Sequence, residues 1–158
     1  MAKPTTAAPV IARNRRAWHE YHVLEEFEAG LELHGTEVRS LRQGGAQIAE
    51  AYVRIERGEA WLLGAHVQPY QFGNRQNHEP SRPRRLLLHR REIGHLAGMV
   101  KQPGLTLIPL DLHLSRNRVK VRLGVCRGKR EYDKREALRE KDAQREMQRG
   151  LARAWKAN

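Results

Sequence analysis

The last 31 residues limit where the core of this chain can form. Residues 128–158 read GKREYDKREALREKDAQREMQRGLARAWKAN and contain 10 basic and 6 acidic side chains. From Lys134 to Ala154 most residues are strong helix formers, but only Met147, Leu151 and Trp155 make an apolar stripe. Because such a helix has little to bury, the core must come from the first 127 residues.

The start and stability of this C-terminal tail can also be predicted. Asp133 is expected to be the N-cap, since Glu136 follows at the spacing of a capping box. Gly150 interrupts this stripe and lowers the stability of the helix by about 1 kcal/mol. An isolated helix of this kind is marginal in water, so we expect a tail that is partly disordered alone and helical on a polyanionic partner. A solvated surface helix or a floppy terminus is the alternative.

The charge of the chain favours a nucleic-acid partner. Lys and Arg number 30 against 18 acids, a net charge of +12, of which the tail carries +4 and the first 127 residues +8. Neutralising phosphates gives such a chain affinity that does not depend on base sequence. A single cysteine, Cys126, excludes an internal disulfide framework, and no apolar run is long enough for a membrane span or a signal peptide. We therefore expect a cytoplasmic protein with no membrane partner.

The first half of the chain is predicted to contain an arm, a strand, a helix and a hairpin. Residues 1–12 are rich in Ala, Thr and Pro and are expected to form a flexible arm. Residues 18–34 read as a strand, and Gly35 begins a short helix that stops at Gly44-Gly45. Tyr52–Glu56 and Ala60–Val67 then predict a hairpin.

The second half is predicted to contain a loop, a helix and a second hairpin. Residues 68–85 form a long, arginine-rich irregular segment, which favours RNA contact over disorder. Leu86–Met99 is expected to be the main helix of the body. Leu105–Leu114 and Val119–Val125 alternate apolar and other residues, with a one-residue slip at Ile108-Pro109 that indicates a bulge.

These elements together predict a mainly β fold. Short antiparallel strands with two helices and a basic surface indicate a small OB-like closed antiparallel β-barrel over residues 13–128, with flanking helices. The basic tail occupies residues 129–158.

The sequence contains no recognisable catalytic pattern. Eight histidines are scattered, and His19 and His22 lack the thiol or acid ligands that a metal site needs. No H-E-x-x-H, G-x-S-x-G, P-loop or dinucleotide motif is present. Glu25, Glu26 and Glu28 are more typical of a solvated strand than of general acid–base catalysis. We expect no enzymatic activity, no metal and no cofactor.

The aromatic residues indicate how RNA would be recognised. Nine aromatics are spread along the chain and do not predict a platform for stacking bases. Trp61 and Phe72 are interpreted as core or loop anchors. A structured RNA, recognised by its backbone and shape, is the better partner.

Six stretches in fixed order then resemble one protein family. They are Asn14-Arg15-Arg16-Ala17, Phe27–Gly30, Gly35–Arg42, Gly73-Asn74-Arg75, Leu86–His89 and Gly128–Arg135. From about Asn14 to about Arg145 the chain resembles the SsrA-binding protein, or small protein B, family. Gln76 stands where the family often has an aromatic residue, Pro83 replaces a usual polar residue, and the end past Arg145 is variable in the family.

This resemblance implies a function that composition could not give. Members of the family bind the tRNA-like domain of transfer-messenger RNA. With elongation factor Tu, which they meet indirectly through the RNA, they bring it to ribosomes stalled without a codon in the A site. The resemblance implies a six-stranded OB-like body, and we expect a monomer. The alternatives are a generic structured-RNA-binding OB module without a ribosomal role and a nucleic-acid-processing enzyme.

The resemblance and the charge pattern together give two sets of candidate residues. The residues expected to bind RNA are Asn14, Arg15, Arg16, Tyr21, Glu28, Arg39, Arg42, Arg75, Leu87 and His89. The residues expected in the decoding centre, against small-subunit rRNA, and in the empty mRNA channel are Lys129, Tyr132, Asp133, Lys134, Arg135, Lys141, Asp142 and Arg145.

Overall fold

A computed structural model describes residues 9–129 and 131–157, with side chains except at 74, 131–134, 136, 156 and 157. The chain divides into two compact units at Gly128. The strands are β1 Val10–Arg13, β2 Tyr21–Leu31, β3 Ala46–Gln47, β4 Tyr52–Glu56, β5 Glu59–Leu63, β6 His66–Val67, β7 Arg84–Leu87, β8 Leu105–Ser115 and β9 Arg118–Gly128. The helices are α1 Arg15–Glu20, α2 Gly35–Arg42, α3 Arg90–Val100 and α4 Glu131–Ala157, with a 3-10 turn at Asn74–Gln76.

Strands β8 and β9 form the longest pairing of the sheet. Their register runs from Leu105 opposite Arg127 to Ser115 opposite Arg118, and it shifts between Pro109 and Asp111. The two residues of the connecting turn, Arg116 and Asn117, have φ values of 51° and 63°, as a tight hairpin turn requires. The predicted hairpin and its bulge are therefore confirmed.

The larger sheet closes on itself. Its strands follow the order β1-β8-β4-β5-β7-β2-β9, and the additional β8–β9 pairing joins six of them into a ring, with β1 added on β8. One face of each strand supplies the core, as the burial of Val121, Leu123 and Val125 on β9 illustrates. The fold is mainly β with flanking helices, as the sequence predicted.

Several predicted boundaries are wrong. Residues 10–12 do not belong to a loose arm, because β1 pairs with β8 from Val10 opposite His113 to Arg13 opposite Asp111. Trp18 lies in helix α1 and not in a strand. Leu86 and Leu87 lie in β7 and not in a helix, since a short apolar run does not distinguish the two and here pairs with β2 and β5.

The tail is a helix from Glu131 to Ala157. Asp133 lies inside this helix, so its prediction as the N-cap is wrong. The side chains of Met147, Leu151 and Trp155 are 71%, 63% and 83% exposed. Among the described residues no helix is both long and apolar enough to cross a membrane.

A buried ion cluster connects α2 to the segment that leads into β7. Glu37 and Arg84 are both fully buried, and the carboxylate of Glu37 accepts hydrogen bonds from Arg82, Arg84 and the backbone N–H of His34. Burial by itself would raise the pKa of Glu37, but the hydrogen bonds from Arg82, His34 and Arg84 outweigh it and lower the pKa. Arg84 also donates to the carbonyls of Ala65 and Pro80, at 3.1 and 3.0 Å.

Replacing Glu37 by Gln should destabilise the body strongly. The substitution leaves two guanidinium groups near α2 without their carboxylate, which typically costs about 3–5 kcal/mol of unfolding free energy. Because the pKa of Glu37 is lowered in the folded state, its contribution is present at neutral pH and is lost as the pH falls through that lowered value. Urea unfolding of wild type and variant at several pH values measures both effects.

Glu50→Gln is the matched control for this prediction. Glu50 pairs with Arg16 at 2.5 Å, but its side chain is 78% exposed. An exposed pair contributes at most about 1 kcal/mol. Equal losses in the two variants would contradict a stabilising role for the buried cluster.

Candidate nucleic-acid interface

An open groove of about 660 Å³ brings together three of the predicted RNA-binding residues. Glu28 comes from β2, Leu87 from the end of β7, and His89 from the position just before α3. All three line the groove, although up to 61 positions separate them in the sequence. The predicted association of Glu28 with Leu87 and His89 therefore corresponds to a single surface.

The pairing of β2 with β7 places Leu87 at the groove surface. Along β7, Arg84 and Leu86 are buried whereas Arg85 and Leu87 are exposed, which is the alternation of a strand with one face inward. Gly30 lies opposite Leu87, and a Cβ at Gly30 would lie 3.1 Å from the Leu87 Cβ. A side chain at position 30 would therefore displace Leu87, which is 51% exposed, by a few tenths of an ångström.

The groove carries charges of both signs. Its cations are Arg85, Arg118 and Lys120, and its acids are Glu28, Glu59 and Glu92. Two of these acids have partners within the protein: Glu59 lies 3.6 Å from Arg85, and Glu92 accepts a 3.1 Å hydrogen bond from the backbone N–H of His89. Glu28 is thus the carboxylate best placed to accept hydrogen bonds from a ligand.

A buried histidine lies next to the Glu28 side chain. His113 is 5% exposed, and its Nδ1 lies 2.7 Å from Asp111 Oδ1. An ionised carboxylate only accepts, so Nδ1 is the donor and the ring orientation is set by Asp111. The opposite nitrogen, Nε2, lies 3.8 Å from Glu28 Oε1, beyond hydrogen-bond distance, and the Glu28 side chain is 54% exposed, so its carboxylate is open to a ligand.

Tyr21 lines a different and smaller cavity, of about 200 Å³, together with Arg16, Glu20 and Glu50. It lies seven residues before Glu28 on β2, a separation of roughly 23 Å along an extended strand. Arg16 lies 3.1 Å from Glu20 and 2.5 Å from Glu50, and the hydrogen bond to Glu20 is the main cause of its raised pKa. The structure therefore does not place Tyr21 with the groove residues.

Asn14 has a structural role, which removes it from the candidate contacts. It is 1% exposed, and its Oδ1 accepts a 3.1 Å hydrogen bond from Ala17 N, capping α1. Its Nδ2 donates to the carbonyls of Pro109 and Ile48, at 2.9 and 3.3 Å. The side chain is fully engaged inside the protein, so the sequence prediction that Asn14 contacts RNA is not supported.

The remaining candidate cations of the body are exposed. Arg15 lies on α1, Arg39 and Arg42 on α2, and Arg75 in the 3-10 turn. Arg42 Nη2 donates to the carbonyl of Asn117 at 3.4 Å, which links α2 to the β8–β9 turn that borders the groove.

The tail candidates lie on α4, except Lys129, which precedes it. Arg135, Lys141, Asp142 and Arg145 are exposed. The backbones of Tyr132, Asp133 and Lys134 are helical, and their side chains lie outside the described residues.

Sequence reasoning missed Asp111, His113 and the groove cation Arg118, whereas Arg85 belongs to the arginine-rich segment 68–85 that was expected to contact RNA. A signal for His113 existed, because Leu112 and Leu114 alternate with Asp111 and His113 on β8. The sequence could not show that the Asp111–His113 pair on β8 lies next to Glu28 on β2.

The described part of the chain contains no group of three or more His, Cys, Asp or Glu residues arranged to hold a metal ion. Cys126 is buried, and burial, with a smaller contribution from Glu26, raises the pKa of its thiol to about 11. A thiol with this pKa is almost entirely protonated near neutral pH and is a poor nucleophile.

The closed β sheet carries an exposed groove that combines cations, a carboxylate and an apolar side chain. This combination is that of a nucleic-acid-binding class of protein. The family model described as SmpB protein matches residues 11–153. The chain belongs to the SmpB protein family.

Relatives and a solved structure agree with this assignment. The chain is 51% identical to an SsrA-binding protein of Carboxydothermus hydrogenoformans over 142 residues, covering 90% of this chain and 95% of the relative. It is 53% identical to an SsrA-binding protein of Desulfitobacterium hafniense, covering 89% and 90%. A solved chain described as "tmRNA-SmpB: a journey to the center of the bacterial ribosome" matches with a TM-score of 0.66 and 46% identity, covering 84% of this chain and 96% of that one.

Asn14→Ala should lower the unfolding free energy by about 2 kcal/mol or more. It removes a helix cap, worth roughly 1 kcal/mol, and leaves two buried carbonyls without their donor. Arg15→Ala, at the exposed neighbouring position, should change stability by no more than about 0.5 kcal/mol. Thermal or urea unfolding of both variants tests this, and a stable Asn14→Ala protein would exclude the structural role.

Proposed function

We propose that this chain binds the tRNA-like domain of transfer-messenger RNA and delivers it to stalled ribosomes for trans-translation. The observation that carries the proposal is the groove that joins Glu28, Leu87 and His89, three residues separated in sequence that the family resemblance assigns to RNA contact. Membership of the SmpB family and the match to a chain from work on tmRNA-SmpB and the ribosome support the same partner.

The groove suits a folded RNA better than a uniform polyanion. Arg118 and Lys120 supply charge for phosphates, whereas Leu87 offers an apolar surface and Glu28 accepts hydrogen bonds from ribose hydroxyl or base amino groups. Glu28 lies beside the buried His113–Asp111 pair with its side chain 54% exposed, so its carboxylate oxygens are open to such donors. Contacts of this kind depend on the shape of the RNA as well as on its charge.

The finer features of the assembly belong to the same proposal. The six-stranded ring is proposed to be an OB-like body that acts as a monomer in the cytoplasm. Elongation factor Tu would meet the protein only through the RNA. No catalytic step is assigned to the chain, since its part is to bind and position.

The tail is proposed to act on the ribosome. Lys129, Arg135, Lys141 and Arg145 would lie in the decoding centre and the empty mRNA channel, which phosphates line. The apolar stripe of α4 is exposed, so its helix depends on propensity and charge, and a polyanionic channel would stabilise it. The family match extends to residue 153, through most of α4, whereas a generic RNA-binding module would need no such segment.

Glu28→Ala and Leu87→Ala should each weaken binding to the tRNA-like domain by about tenfold. Neither change removes a positive charge, so the slope of affinity against salt concentration should stay the same. Arg118→Ala should instead make the dependence of affinity on salt weaker, by the amount expected when about one phosphate contact is lost. Filter binding across a range of salt concentrations distinguishes the two patterns.

Leu24→Ala is the matched control, because Leu24 lies on the same strand as Glu28 and is 48% exposed, close to the 51% of Leu87. It should bind RNA as the wild type does. Normal binding by both Glu28→Ala and Leu87→Ala would remove the groove from the RNA interface.

Replacing Asp133, Lys134 and Arg135 together by Ala should separate the two activities of the chain. The body should bind free transfer-messenger RNA almost normally, but peptide tagging on ribosomes stalled at the end of a truncated message should be largely lost. Replacing Met147, Gln148 and Arg149 by Ala removes the same net charge from α4 and should preserve tagging. Filter binding and a reconstituted tagging assay measure both activities on each preparation.

Two outcomes would contradict this division. Normal tagging by the first triple variant would make the start of α4 a dispensable solvated helix. Loss of binding to free RNA would instead assign residues 133–135 to the interface of the body.

A further inference from the structure

The loop between β6 and β7 exposes an aromatic ring. The side chain of Phe72 is 71% exposed, more than any other large apolar residue among the described residues of the body. This exposure contradicts a core position for Phe72; within the loop its ring contacts that of Tyr70, with 5.6 Å between the centroids. A single exposed apolar residue is common, so its meaning depends on what surrounds it.

The loop that carries Phe72 is built around hydrogen bonds. Tyr70 N donates to Asn77 Oδ1 at 2.9 Å, and Asn77 Nδ2 donates back to Tyr70 O at 2.8 Å. Gly73 N also donates to Tyr70 O, at 3.0 Å, and a Cβ at Gly73 would lie 2.9 Å from the Asn77 side chain. These contacts join the two ends of the loop and fix the tip that presents Phe72.

The loop is also tied to the body at its C-terminal side. His78 is buried, with one ring nitrogen 3.0 Å from Val67 O and the other 2.9 Å from Thr36 Oγ1. The Arg82 guanidinium then donates a hydrogen bond to the Glu37 carboxylate on α2. Because the contacts of His78 and Arg82 fix the loop to the body, the tip that carries the exposed ring loses little further freedom when a ligand binds.

A guanidinium group lies over the neighbouring aromatic ring, that of Tyr70. The Arg39 guanidinium lies 5.7 Å from the centroid of Tyr70, and the ring of Tyr70 lies 5.6 Å from that of Phe72 at an angle of 68°. Arg39 and Arg75 are both exposed. The surface therefore combines an open aromatic ring with the Arg39 guanidinium at cation–π distance from Tyr70, and the exposed Arg75 lies three residues after Phe72 in the same loop.

This combination fits an unpaired nucleobase with its adjoining phosphates. An aromatic ring stacks on any base because every base has a π face, and guanidinium groups bind the phosphates beside it. A protein partner would need a larger apolar surface than one ring. Stacking on aromatic side chains is how proteins recognise the unstacked bases of folded RNA.

We propose that Tyr70 and Phe72, with Arg39 and Arg75, form a stacking site for one unpaired base of the RNA that this protein binds. None of these four residues lines the groove that contains Glu28. The site therefore adds a second, separate contact. The inference rests on the proposed binding of the tRNA-like domain of transfer-messenger RNA.

The test compares substitutions at Phe72 for binding to that domain. Phe72→Ala should weaken binding by roughly tenfold without changing its dependence on salt, since stacking carries no charge. Phe72→Trp should bind as wild type, whereas Phe72→Leu should be as weak as Phe72→Ala. Leu24→Ala is the control, because Leu24 is a 48% exposed apolar residue on β2 outside the loop, and it should have no effect.

A second measurement locates the base. A benzophenone amino acid at position 72 should crosslink under ultraviolet light to one unpaired nucleotide, read as a stop in reverse transcription. Wild-type affinity in Phe72→Ala, wild-type affinity in Phe72→Leu, or crosslinks confined to paired regions would each overturn the stacking site. Failure of the wild-type protein to bind the RNA would instead overturn the proposed function, so the two failures are distinguishable.

Discussion

The buried carboxylate of Glu37 connects the parts of the body on which function depends. It holds Arg82 and Arg84, and through them it fixes α2, the loop that presents Phe72 and the start of β7. Strand β7 then places Leu87 in the groove. Because a charge this deeply buried is stable only with its partners, loss of the cluster would loosen the groove and the loop together.

Charge supplies much of the attraction for RNA but little of its selectivity. The body carries +8 and would attract any polyanion. Selectivity has to come from groups with a fixed position, such as Glu28 in front of His113 or Phe72 on its tied loop. Hydrogen bonds inside the protein fix the loop that carries Phe72, and strand pairing fixes the backbone that carries Glu28, while both side chains remain exposed. This arrangement suits a partner that is recognised by shape.

Patterns with strict local periodicity were predictable from the sequence. The β8–β9 hairpin, its bulge and the helix at Gly35 follow from alternation, a one-residue slip and a pair of glycines. Leu86 was not predictable, because Leu86-Leu87-Leu88 fits a helix and a strand equally, and only pairing with β2 and β5 decides between them. Asn14 was similarly ambiguous, since the same residue type caps helices and contacts RNA.

The sequence by itself determined that the core lies before residue 128, that the fold is mainly β, and which family the chain resembles. These conclusions need only composition, local periodicity and motif order. Tertiary structure decided which candidates share a surface: it joined Glu28 to Leu87, left Tyr21 at another cavity and buried Asn14. The reason is physical, because strand pairing brings together residues far apart in sequence, and a sequence read locally does not contain that register.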